Sequence, residues 1–291
     1  MTTGSESASD AGAGAGAGAP LHVMVAEPDA QQRADVADAV RAAVGPVRIS
    51  EVGDGEAAVK AMTGARPDIL FINVKMPGIS GAEAVVIARQ ESVQPLTVLM
   101  SDRVLSRWVA LSNELGAYEF LKKPYDETHI AGLMQAVMRM RKPTRALLVE
   151  GSETTRALMR KLMRQSRFDL DIEETDSGVH AVKLMRATAY DVALIDLNLG
   201  GMDGLETACQ VKDVAPRTAL VLISAPGSEK IETASRHFGF TTFLQKPFYA
   251  HHIEDMLHEV FNLRRPYLLN ATGRVHARSL RLEEERRARR R

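Results

Sequence analysis

Eight residues carry the chemical interest of this chain, and they form two matched sets of four. Glu27, Asn73, Ser101 and Lys123 make the first set; Glu150, Asp196, Ser224 and Lys246 make the second, each 123 positions after its counterpart. A carboxylate can act as a nucleophile or as a ligand for a hard cation. A lysine ammonium pairs with anions, and a hydroxyl donates a hydrogen bond. The sets differ in type at one position, Asn73 against Asp196. An amide has nearly the shape of a carboxylate but lacks its negative charge, so it is a poor nucleophile.

The same offset runs through the residues between. HVMVAEPDAQQR at His22–Arg33 aligns with RALLVEGSETTR at Arg145–Arg156, Gly55 with Gly178, Gly81 with Gly204, and Pro124 with Pro247. An ungapped offset of this length means two copies of one domain, each large enough to hold its own core. The 291 residues suit two domains. In the second copy, apolar runs at Ala146–Val149, Val192–Leu197, Ala219–Ile223 and Thr241–Leu244 read as buried strands. Helical spacing over Thr154–Gln165, Val179–Ala187, Gly204–Val214, Glu229–Phe238 and Ala250–Leu263 separates or follows them. Alternating strands and helices predict a parallel sheet with helices on both faces, and a site at the carboxyl ends of the strands. Glu150, Asp196, Ser224 and Lys246 all fall at such ends.

The ordered set of a strand-end acid, DLNLGGMDG, VLISA and FLQKPF, present in duplicate, resembles the receiver domain of bacterial response regulators. The resemblance implies an α/β fold, with two tandem flavodoxin-like (CheY-like) doubly wound sheets of five parallel strands. It implies a receiver at 144–266 that accepts a phosphoryl group on Asp196 from a histidine kinase or phosphotransfer protein. It places magnesium on Glu150, Asp196 and the carbonyl of Asn198, and gives Ser224, Phe243 and Lys246 the phosphoryl-binding and switching roles. The family's second metal acid is missing, because Gly151 stands there, so the metal site is weakened. The copy at 21–142 departs further: Asn73 replaces the acceptor and Pro28 the second acid, while Glu27, Ser101, Phe120 and Lys123 persist. It reads as a pseudo-receiver that is not phosphorylated at this position, with Lys123 kept to hydrogen-bond Asn73. The implied function is two-component signalling through protein–protein contacts with a downstream partner, without a separate output domain and without enzymatic activity. The alternative is a phosphorylation-independent scaffold built from two receiver-like domains.

Composition narrows the remaining classes. Hydrophobic residues are 45% and charged residues 25%, the mix of an ordinary globular protein. Lys+Arg and Asp+Glu are both 37, so no overall field draws the chain to nucleic acid or membrane. One cysteine, Cys209, excludes an internal disulfide and a multi-thiolate zinc site. No signal peptide or apolar span is visible, and a cytoplasmic location is expected. Residues 1–20 are rich in Ala and Gly and read as flexible linker. From Arg264 to Arg291 ten arginines stand against three glutamates, which makes a basic tail on an acidic body. Binding of nucleic acid through that tail is not favoured, since a basic run without a reading element is mostly nonspecific. A homodimer through the last helix and strand is allowed by the family pattern.

Other residues carry weaker signals. His251 and His258 lie on one helix with Asp255 between them, and read as a solvated face rather than a metal site. Trp108 and Tyr118 are read as partly buried, with a contact surface as the alternative. Met134, Met138 and Met140 are read as core or inter-domain packing. Gly200, Gly201 and Gly204 are read as a turn, not a nucleotide loop. Only Lys142, Pro143 and Thr144 separate the copies, a tether short enough to keep them in contact.

Overall fold

A computed structural model describes residues 20–103, 110–112, 114–226, 238–264 and 266. The first domain runs β1 (His22–Ala26), α1 (Ala30–Val44), β2 (Arg48–Val52), α2 (Gly55–Ala65), β3 (Ile69–Asn73), α3 (Gly81–Gln90), β4 (Leu96–Ser101), β5 (Glu119–Lys122) and α4 (Glu127–Met140). The second runs β6 (Thr144–Val149), α5 (Glu153–Arg164), β7 (Leu170–Thr175), α6 (Gly178–Ala187), β8 (Val192–Asp196), α7 (Gly204–Val214), β9 (Ala219–Ser224), β10 (Phe240–Gln245) and α8 (Ala250–Val260). Residues 229–237 of the helix read at Glu229–Phe238, the site of Trp108, residues 1–19 of the N-terminal linker and the tail beyond Pro266 lie outside the described residues.

Each sheet has five parallel strands, in the orders β2-β1-β3-β4-β5 and β7-β6-β8-β9-β10. The central strands ILFIN and VALID are buried almost throughout, as parallel strands covered on both faces must be. The order reverses beside β1 and β6, which opens a crevice at the carboxyl ends of the neighbouring strands. Helix starts are fixed locally. Asp29, Asp54, Ser152 and Asp203 each accept a backbone N–H with the side chain, and Ser80 forms a full capping box with Glu83.

The strand β7 was not legible in the apolar pattern. Its sequence LDIEET lies at the sheet edge, half-buried, with acids that pair with arginines of neighbouring elements. Edge strands need only one covered face, and charge there is tolerated. The tether keeps three residues but sits one position earlier than read, at 141–143. Helix α4 ends at Met140 and β6 already begins at Thr144, whose side chain is fully buried.

Each domain has its own apolar cluster on one side of its sheet, around Phe71's neighbours Leu70 and Ile72 in the first and around Leu147 and Ile195 in the second. On the other side a single cluster runs through both domains. It joins Leu133, Met134, Val137 and Met140 of α4 to Met163, Phe168, Ile253 and Leu257. Polar contacts stitch the same seam. The Asp169 N–H donates to the Met140 carbonyl at 2.9 Å, the Arg167 guanidinium to the Gly116 carbonyl at 3.1 Å, and Arg139 stacks over the Phe261 ring at 3.5 Å.

His258 lies in this seam, which overturns its reading as a solvated residue. It is fully buried, and its ring meets Tyr118 in the first domain and Phe168 in the second. Nδ1 lies 2.6 Å from the Glu254 carbonyl, an acceptor, so Nδ1 carries the proton. Nε2 therefore accepts the Tyr118 hydroxyl proton at 2.7 Å. Its helix face is solvent-like by sequence spacing but is covered by the other domain. His251 stacks on the Tyr249 ring instead, and among the described residues no group of three His, Cys, Asp or Glu is placed to hold a metal. Tyr118 is buried at this contact, Met134 and Met140 are buried, and Met138 is exposed, contrary to its reading as packing.

Candidate functional site

In the second domain the fold brings three predicted side chains into bonding distance. Asp196 ends β8, Glu150 follows β6, and Lys246 follows β10. Lys246 Nζ lies 2.8 Å from Glu150 Oε2 and 3.2 Å from Asp196 Oδ2. Both carboxylates are buried, and one ammonium serves two acids. Burial raises the Asp196 pKa above the ordinary carboxylate value, and the nearby Glu150 charge adds to this; Lys246 and the Asn198 backbone N–H oppose them without cancelling them. For Lys246, burial works against the charged form, but its bonds and attraction to Glu150 and Asp196 win and raise the pKa. Asp196 Oδ1 is buried and has no well-formed hydrogen bond.

The other predicted residues surround this centre. Ser224 is buried at the end of β9, the strand beside β8, and its carbonyl accepts the Lys246 N–H at 2.8 Å. Asn198 lies two residues past Asp196, with its backbone N–H toward the carboxylate. Phe243 stands apart: it is 45% exposed on β10, whereas its counterpart Phe120 is 3% exposed in the first domain's core. A register shift between Phe240 and Thr242 accompanies the outward placement of Phe243. Both lysines precede cis prolines.

The first domain has the same scaffold with different electrostatics. Asn73 Nδ2 donates to Glu27 Oε2 at 3.0 Å, and Lys123 forms a short ion pair with the same oxygen. The Asn73 side-chain oxygen Oδ1 accepts the Lys75 N–H at 3.1 Å. Lys123 thus pairs with Glu27, not with Asn73 as read from sequence. The reason is charge: the ammonium takes the one carboxylate available, and the neutral amide adds its own donors to that acid. One acid and one ammonium match here, and both Glu27 oxygens are engaged. This centre does not fit a magnesium ion. Ser101 is buried at the end of β4, where its hydroxyl accepts the Arg103 N–H at 3.3 Å.

The second domain fits magnesium better. The buried, unsatisfied Asp196 Oδ1 and the Glu150 carboxylate are hard oxygen donors, and a side chain built at Gly151 would meet nothing within 4 Å. The space for the family's second acid is open, although the acid is absent.

Two further residues, matched in the sequence but given no role there, support each site. Arg33 Nη1 donates to the Glu27 carbonyl and Arg156 Nη1 to the Glu150 carbonyl, each at 2.6 Å. Each arginine also pairs with an acid of the adjacent edge strand, Glu51 or Glu174, at 3.6 Å. The available signal was an arginine six residues after the site acid in both copies. Gly81 and Gly204 are needed for close approach, since a Cβ there would fall 2.0 Å from the Asn73 carbonyl oxygen and 2.2 Å from that of Asp196. Gly204 thus belongs to helix α7, whose start presses on the acceptor residue, while Gly201 turns with φ of 82°.

The sequence profile of the response regulator receiver domain matches residues 23–135 and 146–258. The chain belongs to this family, and carries the domain twice. It is 30% identical over 178 residues to the transcriptional regulatory protein PdtaR of Mycobacterium tuberculosis (strain CDC 1551 / Oshkosh), covering 59% of this chain and 83% of that one. It is 26% identical over 111 residues to the chemotaxis protein CheY of Listeria monocytogenes, covering 38% of this chain and 92% of that one. A crystal structure described as a two-component system response regulator/GGDEF domain protein superposes with a TM-score of 0.61 at 17% identity, covering 83% of this chain and 98% of the other, and so shares the tandem fold.

Proposed function

We propose that this chain is a response regulator whose second domain takes a phosphoryl group on Asp196, while the first is a receiver-like domain held in one state. The observation that supports this most is the contrast in charge: two buried acids against one ammonium at Asp196, one acid against one ammonium at Asn73. An Asp196 oxygen attacks phosphorus of a phosphohistidine on a kinase or phosphotransfer protein. The new O–P bond forms as the P–N bond breaks, and the departing imidazole nitrogen takes the electron pair. In this reading Lys246 moves from the Glu150–Asp196 pair onto the phosphoryl oxygens, and the Ser224 hydroxyl donates to them. Magnesium, when bound by Glu150, Asp196 and the Asn198 carbonyl, neutralises phosphoryl charge. Phe243, exposed on β10, is the aromatic group free to change environment, and a change there alters the surface offered to a protein partner. The chain itself turns over no substrate in this reading.

A second reading has its own support. Gly151 leaves the cation site short of one carboxylate, which favours a scaffold that works without phosphorylation. Incubating the protein with magnesium and acetyl phosphate, then locating modification by mass spectrometry, separates the two. A phosphoryl group on Asp196 that disappears in Asp196→Ala, with none on the first domain, is the expected result. If neither acetyl phosphate nor a panel of phosphorylated histidine kinases labels Asp196, the switch reading fails and the scaffold stands.

A further inference from the structure

A cavity at the first domain's carboxyl-end edge lies not at Asn73 but beside it, between α1 and α4. It has a volume of about 970 Å³ and an acidic wall, formed by Asp35 and Asp38 of α1, Asp102 after β4, and Glu127 of α4. Among the described residues of the wall Lys123 is the one base, and Glu27 already holds it. Asp38 pairs with Arg41, and Asp102 lies 4.0 Å from Lys75. Asp35 accepts the Gln31 amide, and neither it nor Glu127 has an ion pair among the described residues. Two polar atoms of the lining, Gln32 Oε1 and the Tyr125 hydroxyl, are fully buried without a hydrogen-bond partner. An orphaned acceptor and hydroxyl inside an acidic groove call for a donor-rich cation.

The chain itself brings such a group to the rim. After α8 it crosses to the first domain, and the stem of Arg264 lies over Gly132 of α4, its Cδ 3.6 Å from where a Cβ would stand. The Arg264 charge also reaches Asp126, the N-cap of α4. Glu127, on the groove, is five residues before Gly132 on the same helix, or about 8 Å along its axis. Residues 267–291 follow from this point and contain eight arginines against three glutamates. Twenty-five residues of chain, even at the dimensions of a random coil, reach roughly 25–30 Å, well beyond the distance required.

We propose that the arginine-rich segment 281–291 docks in this groove, with guanidinium groups facing Asp35, Asp38 and Glu127 and meeting Gln32 Oε1. Arginine suits the role, because its planar fork donates to several acceptors at once and is weakly hydrated for a cation. The groove adjoins Lys123 and Pro124, so the tail occupies the edge of the first domain that corresponds to the switching side of the second. A protein or nucleic acid that captures the arginines would vacate the groove. This proposal is independent of whether Asp196 is phosphorylated.

The test is hydrogen–deuterium exchange on the intact chain. In the wild type, amides of 281–291 and of α1 around Asp35 are expected to be protected. Two variant chains are compared with it: Asp35→Asn/Asp38→Asn/Glu127→Gln in the groove, and Arg→Gln at positions 286, 287, 289, 290 and 291. Each is expected to lose about tenfold in tail protection, the sum of several modest exposed pairs. Raising salt to about 1 M should act in the same direction. Tail amides that exchange at free-peptide rates in the wild type would overturn the proposal. So would protection that survives the groove substitutions, which would put the tail elsewhere, or protection that grows with protein concentration, which would make a second copy the host. The tail variant cannot fail for lack of folding, since its changes lie outside both domains.

Discussion

Asp196 and Asn73 occupy equivalent strand ends, yet only one of them is under electrostatic load. Asp196 shares one ammonium with Glu150, and folding raises its pKa. A carboxyl shifted upward favours folding most below its unfolded value, and that contribution is lost as pH rises through the folded value. At neutral pH its charge therefore opposes stability. Asp196→Asn, which copies the arrangement at Asn73, should raise the melting temperature by roughly 2–4 °C, equivalent to about 1 kcal/mol for a chain of this size. A calorimetric scan that shows a lower melting temperature would contradict this account of the site. The neighbouring position makes a second prediction. Gly151 faces open space, so Gly151→Asp restores an oxygen ligand without a clash and should tighten magnesium binding roughly tenfold in isothermal titration. Unchanged affinity would mean that Glu150 and Asp196 are not the cation's ligands. The candidate residues themselves were legible in the sequence, because residue type and the 123-residue offset are written there. The pairing of Lys123 with Glu27 was not, since which of two acceptors an ammonium chooses depends on distances that only the fold sets.

At the scale of elements, apolar runs gave the central strands, and β7 escaped because an edge strand is free to be acidic. Helix α7 shows how an element's placement depends on a single residue. Its first residue, Gly204, sits so close to Asp196 that a Cβ would fall 2.2 Å from the Asp196 carbonyl oxygen, a backbone atom that cannot swing aside. Gly204→Ala should therefore push the helix start off β8, costing roughly 1–3 kcal/mol. It should also slow labelling of Asp196 by acetyl phosphate. Urea titration monitored by circular dichroism checks the first effect, and an unshifted midpoint would show that the loop absorbs the clash. The same logic applies to Gly81, which is why glycine stands at both helix starts although only one domain keeps an acidic acceptor.

At the scale of the molecule, the two domains share one apolar cluster and are therefore expected to unfold together. The seam's buried polar pair gives that unit a pH dependence. Burial lowers the His258 pKa, and the nearby carboxylates Glu254 and Asp255 do not offset it. A histidine held neutral in the folded state stabilises it above its ordinary value near 6.5, and the benefit falls away as pH drops through that value. The melting temperature should thus fall between pH 7.5 and 5.5 more than in His258→Gln. Tyr118→Phe, which leaves Nε2 without its donor, should cost about 1–2 kcal/mol at pH 7.5. Equal pH slopes in wild type and His258→Gln would remove His258 from this role. The sequence showed the two copies and their short tether, but it gave His258 a solvated face. A helix periodicity reports only that a side is polar or apolar; it does not report that another domain lies against it.

The seam also sets an order of events during synthesis. The first domain's secondary structure is complete once Met140 has been made, but the atoms that cover its exposed side come later in the chain: Arg167 for Gly116, Asp169 for the Met140 carbonyl, and finally His258 for Tyr118. Domains generally fold in order as they leave the ribosome. A nascent first domain would therefore show Tyr118 and the end of its last helix to solvent until Arg167, Asp169 and His258 have been translated. That patch is where a ribosome-associated chaperone would have most reason to bind.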